Sequence, residues 1–111
     1  MGTKRKLEMQ DANENIFADL GRPDAQEHYV KSQLVFQIHQ IIKARKLTQT
    51  AASKLMGIKQ PDVSNMLRGR FRGYSMERIL GFLQALDQDI EIVIKPKSAG
   101  SKTARIIVKA A

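Results

Sequence analysis

The residues with the clearest chemical potential are polar side chains spaced along one short predicted helix. Val63 and Met66 are apolar at helical spacing, so they face the interior of the protein. The side chains around them are left pointing outward and can form hydrogen bonds with another molecule. These outward-facing residues are Gln60, Asp62, Ser64, Asn65 and Arg68.

Positive charge is concentrated around this helix. The chain has 111 residues and a net charge of +8, which favours a polyanionic partner. Residues 43–72 carry eight basic side chains against one acidic side chain, whereas residues 1–45 carry seven basic and six acidic ones. A basic surface could serve solubility alone, and the total charge does not separate the two interpretations. Its concentration in one segment favours a nucleic-acid footprint.

No group of side chains predicts catalysis or metal binding. The chain has no cysteine, which excludes a disulfide framework and a cysteine-based zinc site. His28 and His39 are eleven positions apart on one predicted helix, about three turns, so they cannot share a metal ion. Both are expected at the surface or half-buried. There is no glycine-rich phosphate loop and no nucleophile with a base. The sequence therefore predicts a protein that is not an enzyme and needs no cofactor.

The N-terminus and the hydropathy pattern favour a cytoplasmic location. Lys4, Arg5 and Lys6 are not followed by the apolar run of a secretory signal. No stretch approaches the roughly 18 to 20 continuous apolar residues of a membrane span. We therefore expect no membrane partner.

Hydrophobic periodicity predicts a long first helix after a polar N-terminal arm at residues 1–21. Asp24 offers an N-cap, with Glu27 three residues later as the partner of a capping box. Apolar residues then recur every three or four positions as far as about Arg45, as they do on one face of a helix. That face comprises Val30, Leu34, Ile38 and Ile41, and Phe36 and Ile42 widen it.

Caps and glycines predict three shorter helices further along the chain. Thr48 is an N-cap for the first of them, and Gly57 ends it. Pro61 suits the first turn of the second, where its missing N–H is not needed, and Gly69 ends that helix. A basic loop then leads to Ser75 as a third cap. The last helix carries the apolar residues Met76, Ile79, Leu80, Leu83 and Leu86.

The first two of these shorter helices form a helix-turn-helix motif, in which a turn of three or four residues containing glycine joins two helices. Ala52 and Ser53 are small, so the helices can approach closely. Gly57 supplies the positive φ that reverses the chain. Ile58 is apolar because it helps to fix the two helices on the rest of the bundle.

Isoleucine occupies every second position of residues 90–94, which is the period of a strand, and Pro96 closes the run. A lone strand needs a partner for its backbone groups. That partner is either residues 106–108 of the same chain or the same strand of another subunit. The first pairing would leave an exposed apolar edge, so we favour the second, which makes a symmetric homodimer.

These patterns together predict a mainly α fold. Its central domain, residues 22–87, is a helix-turn-helix bundle of four to five helices. It lies between the N-terminal arm and a C-terminal region, residues 88–111, that holds the short β-strand used in dimerisation and a basic tail.

The segment LTQTAASKLMGIKQPDVSNMLRGRF resembles the Cro/C1-type (XRE) helix-turn-helix family, and the similarity extends over about residues 30–86. The flanking segments FADLGRPDAQEH and FRGYSMERILGFLQALDQDIEIVIKP are similar to a subgroup of small XRE proteins that includes HigA-like antitoxins. Ser53 departs from the alanine usual in the family, but serine is nearly as small, so close packing is preserved.

The resemblance implies a role for each polar residue of the motif. Its second helix is expected in the major groove of double-stranded DNA, with base reading by Gln60, Ser64 and Asn65. Gln49 would offer its amide and the free N–H groups of its helix to a phosphate. Other phosphate contacts are expected from Lys59, Arg68, Arg70 and Arg72. Asp62 is interpreted as a solvent-facing charge at the helix N-terminus, in preference to an acceptor for a cytosine amino group.

Three functional hypotheses remain open at this point. The first is a sequence-specific transcriptional regulator, repressor-like, that acts as a dimer on a pseudo-palindromic operator. The second is an antitoxin that neutralises a toxin protein and regulates its own operon, with the N-terminal arm folding on the toxin. The third is an RNA-binding or general nucleoid protein, which the shortage of aromatic residues for stacking on bases disfavours.

Overall fold

The computed structural model describes residues 23–111, and this part of the chain contains four helices. Helix α1 is Pro23–Ala44, α2 is Gln49–Met56, α3 is Gln60–Leu67 and α4 is Met76–Ala85. The predicted, mainly α bundle is therefore confirmed. The predicted N-terminal arm lies outside the described residues. No helix of residues 23–111 is long and apolar enough to cross a membrane.

Local capping chemistry sets most of the helix boundaries. Thr48 Oγ1 accepts a hydrogen bond of 3.0 Å from the Ala51 N–H and so caps α2. Ser75 caps α4 in the same way, by accepting from the Arg78 N–H at 3.0 Å. These two predicted caps are confirmed. The predicted cap at Asp24 is wrong, because α1 already begins at Pro23 and Asp24 lies in its first turn.

A single apolar core joins the four helices. Helix α1 packs on α3 and α4, and α2 packs on α3 and α4. The predicted face of α1 is mostly confirmed, but Phe36 is 51% exposed, and Val35 is buried although the pattern did not include it. The buried apolar residues are Val30, Leu34, Val35, Ile38, Ile42, Ala52, Met56, Val63, Met66, Phe71, Ile79, Phe82, Leu83 and Leu86.

The C-terminal end of α1 is tied to the C-terminal end of α4 by a basic side chain. Arg45 Nη1 donates to the Leu86 carbonyl oxygen at 3.0 Å, and the same atom lies 3.8 Å from an Asp87 carboxylate oxygen. Because this guanidinium satisfies a carbonyl at the end of α4, its role is structural. One cation of the basic segment at residues 43–72 therefore connects α1 to the end of α4.

The C-terminal region contains no strand in the described part of this single chain. The predicted strand at residues 90–94 has no neighbouring strand among residues 23–111, and Ile92 and Ile94 are 80% and 93% exposed. A strand is defined by its hydrogen bonds to a partner, and residues 106–108 do not supply them here. The alternation of residues 90–94 is therefore present without the ladder it was expected to join.

Candidate nucleic-acid interface

Helices α2 and α3 form the predicted helix-turn-helix around a left-handed glycine. Gly57 has φ +73°, and its N–H donates to the Ser53 carbonyl oxygen at 2.8 Å. The Ile58 N–H donates to the same oxygen at 3.2 Å, which closes the end of α2. Ala52 and Ser53 are buried between the helices, and the Ser53 hydroxyl donates to the Thr50 carbonyl oxygen at 2.7 Å. Small side chains thus permit the close approach that the sequence predicted.

Helix α3 has one buried face and one face directed toward solvent. Val63 and Met66 are fully buried and hold the helix against the core. On the outer side, Gln60 is exposed, while Ser64 and Asn65 are half-buried. The structure therefore presents all three predicted base-reading residues along one helix, on the side that the core does not cover.

The two glutamines of the motif bond to each other across the turn. Gln60 Nε2 donates to Gln49 Oε1 at 2.8 Å, and the pair is exposed. This bond fixes the direction of both amides and leaves Gln60 Oε1 and Gln49 Nε2 available to a partner. Residues eleven positions apart are thereby joined at the start of α2 and α3, where free helix N–H groups also favour anions.

Asn65 organises the cations at the other end of α3. Its Oδ1 accepts from Arg68 Nη2 at 2.8 Å and from Arg70 Nη1 at 3.4 Å. Both arginines are exposed, and they remain charged at all relevant pH values. The carbonyl oxygen of Asn65 is thus occupied, and its amide NH₂ group is the part left for a partner. The sequence placed these residues near each other but did not predict this contact.

The basic loop between α3 and α4 is anchored by an aromatic residue outside the core predicted from the sequence. Phe71 is buried, and its ring stacks on His28 of α1 with centroids 5.1 Å apart and planes at 16°. Its neighbours Arg70 and Arg72 are both exposed. An isolated large apolar residue inside a run of arginines was the available signal for this anchor.

A second aromatic contact holds the far end of the loop. The Tyr74 ring meets the Phe82 ring edge-on with centroids 5.4 Å apart. The Arg78 guanidinium lies 5.4 Å from the Tyr74 ring centroid and 5.5 Å from that of Phe82. Arg78 therefore adds a fixed cation next to the basic loop. Its spacing of four residues from both aromatic rings was the signal that could have identified it.

His28 lies in an unfavourable place for a positive charge. Its Nδ1 is buried and has no hydrogen-bond partner among the described residues. Burial, followed by the positive charges of Arg72 and Lys31, lowers the pKa of His28 from its usual value of 6.5. Lys31 is itself buried and forms an ion pair of 2.9 Å with Glu27. These surroundings therefore favour the neutral imidazole over the charged form.

This lowered pKa predicts that acid destabilises the fold through His28. The unfolded chain binds a proton on this residue more readily than the folded chain does, so the free energy of unfolding falls as the pH drops below 6.5. In the His28→Gln variant the free energy of unfolding should decrease less than in the unmodified protein when the pH is lowered from about 7.5 to about 5.5. Urea unfolding at the two pH values measures this difference. In the matched control His39→Gln, at an exposed position of the same helix, this free energy should decrease as much as in the unmodified protein. Equal pH dependence in the His28 variant and the unmodified protein would contradict the assignment.

Four exposed cations lie at the ends of α3 and in the loop that follows it. Lys59 precedes the helix, Arg68 follows it, and Arg70 and Arg72 extend from the adjoining loop. Arg68 and Arg70 bond to Asn65 and so lie beside a predicted base-reading residue, whereas Arg72 lies close enough to His28 to lower its pKa. Such an arrangement can bind a phosphate backbone through the cations while the amides contact the groups between the phosphates.

Comparisons with known proteins point to one class. A family profile described as a helix-turn-helix domain matches residues 16–95. One solved structure, described as an XRE family transcriptional regulator, is 43% identical in sequence, with a TM-score of 0.74. The match covers 80% of this chain and 100% of that chain. No curated protein matches the chain.

Proposed function

The chain belongs to the XRE family of helix-turn-helix transcriptional regulators, and we propose that it is a repressor-like dimer that reads a pseudo-palindromic DNA operator. The observation that carries this proposal is the polar face of α3, with the Gln49–Gln60 pair at one end and the Asn65–arginine cluster at the other. Proteins of this class bind DNA and are in general not enzymes, which agrees with the predicted absence of a catalytic site.

In the proposed complex, α3 lies in the major groove with its N-terminal end toward the base edges. Gln60 and Asn65 present amides, which suit adenine, and Ser64 accepts a wider range of partners. Gln49 supports Gln60 through the bond of 2.8 Å and directs its free NH₂ group to a phosphate. The remaining phosphate contacts come from Lys59, Arg68, Arg70 and Arg72.

Two copies of α3 related by a two-fold axis would enter successive major grooves about 34 Å apart. A symmetric dimer would therefore require a site whose two halves are inverted repeats. The antitoxin hypothesis is compatible with this interface, because it assigns toxin binding to the N-terminal arm and not to α3.

The experiment that tests the proposal is a binding titration of the purified protein on fragments of its own upstream DNA at physiological salt. Tight binding that persists in a large excess of random DNA, with a palindromic protected site, would support a specific autoregulator. Binding that every competitor removes equally would contradict it. In that case the N-terminal arm should be used to search for a toxin partner.

Salt dependence provides a further prediction about the cations. If roughly five phosphates are neutralised per subunit, the logarithm of the binding constant should fall with the logarithm of salt concentration with a slope of about −9 for a dimer. Arg70→Ala should make this slope shallower by about 2, because one phosphate contact is lost on each subunit. The matched control Glu77→Ala, which removes an exposed acidic side chain from α4, should not make it shallower. An unchanged slope in the Arg70 variant would remove this residue from the interface.

A further inference from the structure

The segment at residues 89–97 leaves the bundle with its backbone and its apolar side chains uncovered. Ile92, Val93 and Ile94 are 80%, 76% and 93% exposed. Within the described part of the chain, residues 89–97 make no backbone–backbone hydrogen bond. A row of free N–H and C=O groups flanked by isoleucines is a template for pairing with another strand.

The charges of this segment are mirrored about Val93. Acidic residues precede it at Asp89 and Glu91, and basic residues follow it at Lys95 and Lys97. All five residues lie at odd positions and therefore on one face of an extended segment. If the segment pairs antiparallel with a copy of itself and Val93 lies opposite Val93, each acidic residue faces a basic one. Glu91 then lies across from Lys95, and Asp89 across from Lys97, twice each by symmetry.

Neighbouring registers use these charges less well. A register centred on Ile92 places Asp89 across from Lys95 but leaves Glu91 opposite Val93. Its next charge pair would need Asp87, whose φ of +67° does not continue a strand. A register centred on Ile94 places only Glu91 across from a lysine. Charge complementarity therefore selects the register centred on Val93.

Pro96 fits the same register because it has no N–H to donate. In an antiparallel pair, residues alternate between positions that bond to the neighbour and positions that point away from it. When the Val93 pair is hydrogen-bonded, residues at odd positions bond to the second copy. Pro96 then occupies a position that needs no N–H on that edge.

Pairing within the chain meets obstacles that pairing between copies avoids. The chain turns at residues 98–101, where the Ser101 N–H donates to the Ser98 carbonyl oxygen at 3.1 Å. A hairpin continued from this turn would place Pro96 in a hydrogen-bonding position and Lys97 across from Lys102, which is a like-charge pair. This agrees with the structure, in which the chain reverses so that Pro96 and Ile107 line one shallow pocket, but no ladder forms among the described residues.

We propose that residues 89–97 form the dimer contact by pairing antiparallel with the same segment of a second copy about a two-fold axis at Val93. The even face then carries Ile90, Ile92 and Ile94 from both copies, so residues that are exposed in the single chain become a shared apolar surface. This proposal rests on the proposed dimeric function, but it is tested without DNA.

The first test uses single cysteines, which are unambiguous because the chain has none of its own. In the proposed register Val93→Cys brings the two Cα atoms to about 5.5 Å, within disulfide range. We expect this variant to form a covalent dimer under mild oxidation at least about tenfold faster than Ile92→Cys, whose side chain faces residue 94 of the second copy. Equal rates, or no crosslinking by either variant, would overturn the register. An intrachain disulfide in the double variant Val93→Cys/Ile106→Cys, with no covalent dimer, would replace it with the hairpin.

The second test reverses the charges at exposed positions that form no ion pair among the described residues. Lys97 already donates to the carbonyl oxygens of Ser98 and Ser101 at 3.2 and 2.6 Å, so Glu91 and Lys95 are the better targets. Glu91→Lys and Lys95→Glu should each weaken self-association by about tenfold in sedimentation equilibrium. Mixing the two variants should restore it, because each then faces an opposite charge. Failure of the mixture to recover would overturn the pairing.

These outcomes are separable from failure of the proposed function. A dimer in this register that shows no preference for any DNA would uphold the contact and contradict the operator proposal. A protein that binds its operator but remains unaffected by both sets of variants would uphold the function and contradict the contact.

Discussion

The double variant Gln60→Ala/Asn65→Ala should lose its preference for the operator while it retains most of its binding to random DNA at low salt. Gln60 Oε1 and the Asn65 NH₂ group are each free for one hydrogen bond to a base. Such a bond contributes about 0.5–1.5 kcal/mol, so removing both from the two subunits of the proposed dimer should lower specific affinity by at least about thirtyfold. The exposed cations that we propose as phosphate contacts remain in place, and a contribution from phosphate contacts does not depend on sequence. Parallel titrations on operator and random fragments, at low and at physiological salt, measure the two effects separately.

The contacts of Asn65 require a control for this result. Alanine also removes the oxygen that accepts from Arg68 and Arg70, so lost specificity could come from displaced arginines. Asn65→Asp retains an acceptor for both guanidinium groups and removes the NH₂ donor. If Asn65 reads a base through this donor, the aspartate variant should also lose its preference for operator DNA over random DNA. If both kinds of binding disappear together in the double variant while its thermal unfolding is unchanged, the separation of reading from anchoring residues is wrong.

The features that could be predicted from the sequence are those whose chemistry is local. Thr48 and Ser75 cap helices because their side chains reach an N–H three residues away. Gly57 reverses the chain because glycine, which has no side chain, adopts a left-handed φ without steric strain. Each of these features depends on atoms within one helical turn, so the residue types alone identify it.

The errors occur where a helix or strand depends on something distant or absent. The pattern predicts Phe36 on the buried face, but Phe36 follows Leu34 by two positions, about 200° around the helix, and it is exposed. No glycine marks the end of α1 in the sequence. The left-handed residue there is Lys46, with φ +55°. The strand predicted at residues 90–94 has no partner among the described residues of one chain, so its alternation is not sufficient to form a ladder.

The candidate nucleic-acid interface also combines local features with features that depend on distant residues. Its polar and basic residues could be identified from their types and spacing, but the contacts that hold them could not. His28 and Phe71 stack across 43 positions of the sequence, and nothing local to either residue indicates the other. The bond between Gln60 and Gln49 likewise appears only when two helices meet across the turn. Tertiary packing, and not local propensity, determines the orientation of these side chains.

Met66→Ala should produce the largest loss of stability, because only Val63 and Met66 of α3 are buried. Met66 is fully buried, and truncating such a side chain costs about 2–5 kcal/mol through lost contacts and the cavity that remains. Domains of this size have total stabilities of about 5–15 kcal/mol, so the loss is a large fraction. We expect the midpoint of thermal unfolding to fall by roughly 10 °C or more.

The control is Leu55→Ala, a truncation of similar size on α2 at a position that is 44% exposed. This variant should remain within about 0.5 kcal/mol of the unmodified protein, because surface substitutions away from special features rarely exceed that. Urea unfolding of both variants gives the comparison, with the denaturant slope as a check that each unfolds in the same way. Equal losses in the two variants would mean that Met66 does not hold α3 to the core in the way the structure indicates.

The Met66→Ala variant also links stability to DNA binding. In the proposed function operator DNA binds the folded chain, so a saturating concentration should restore stability to the Met66 variant by mass action, by about 2.7 kcal/mol at a hundred times the dissociation constant. The Gln60→Ala/Asn65→Ala variant should show the opposite pattern, with normal stability alone and little gain from operator DNA over random DNA. A Met66 variant that random DNA stabilises as strongly as operator DNA does would show that the weakened α3 no longer holds its reading face in place.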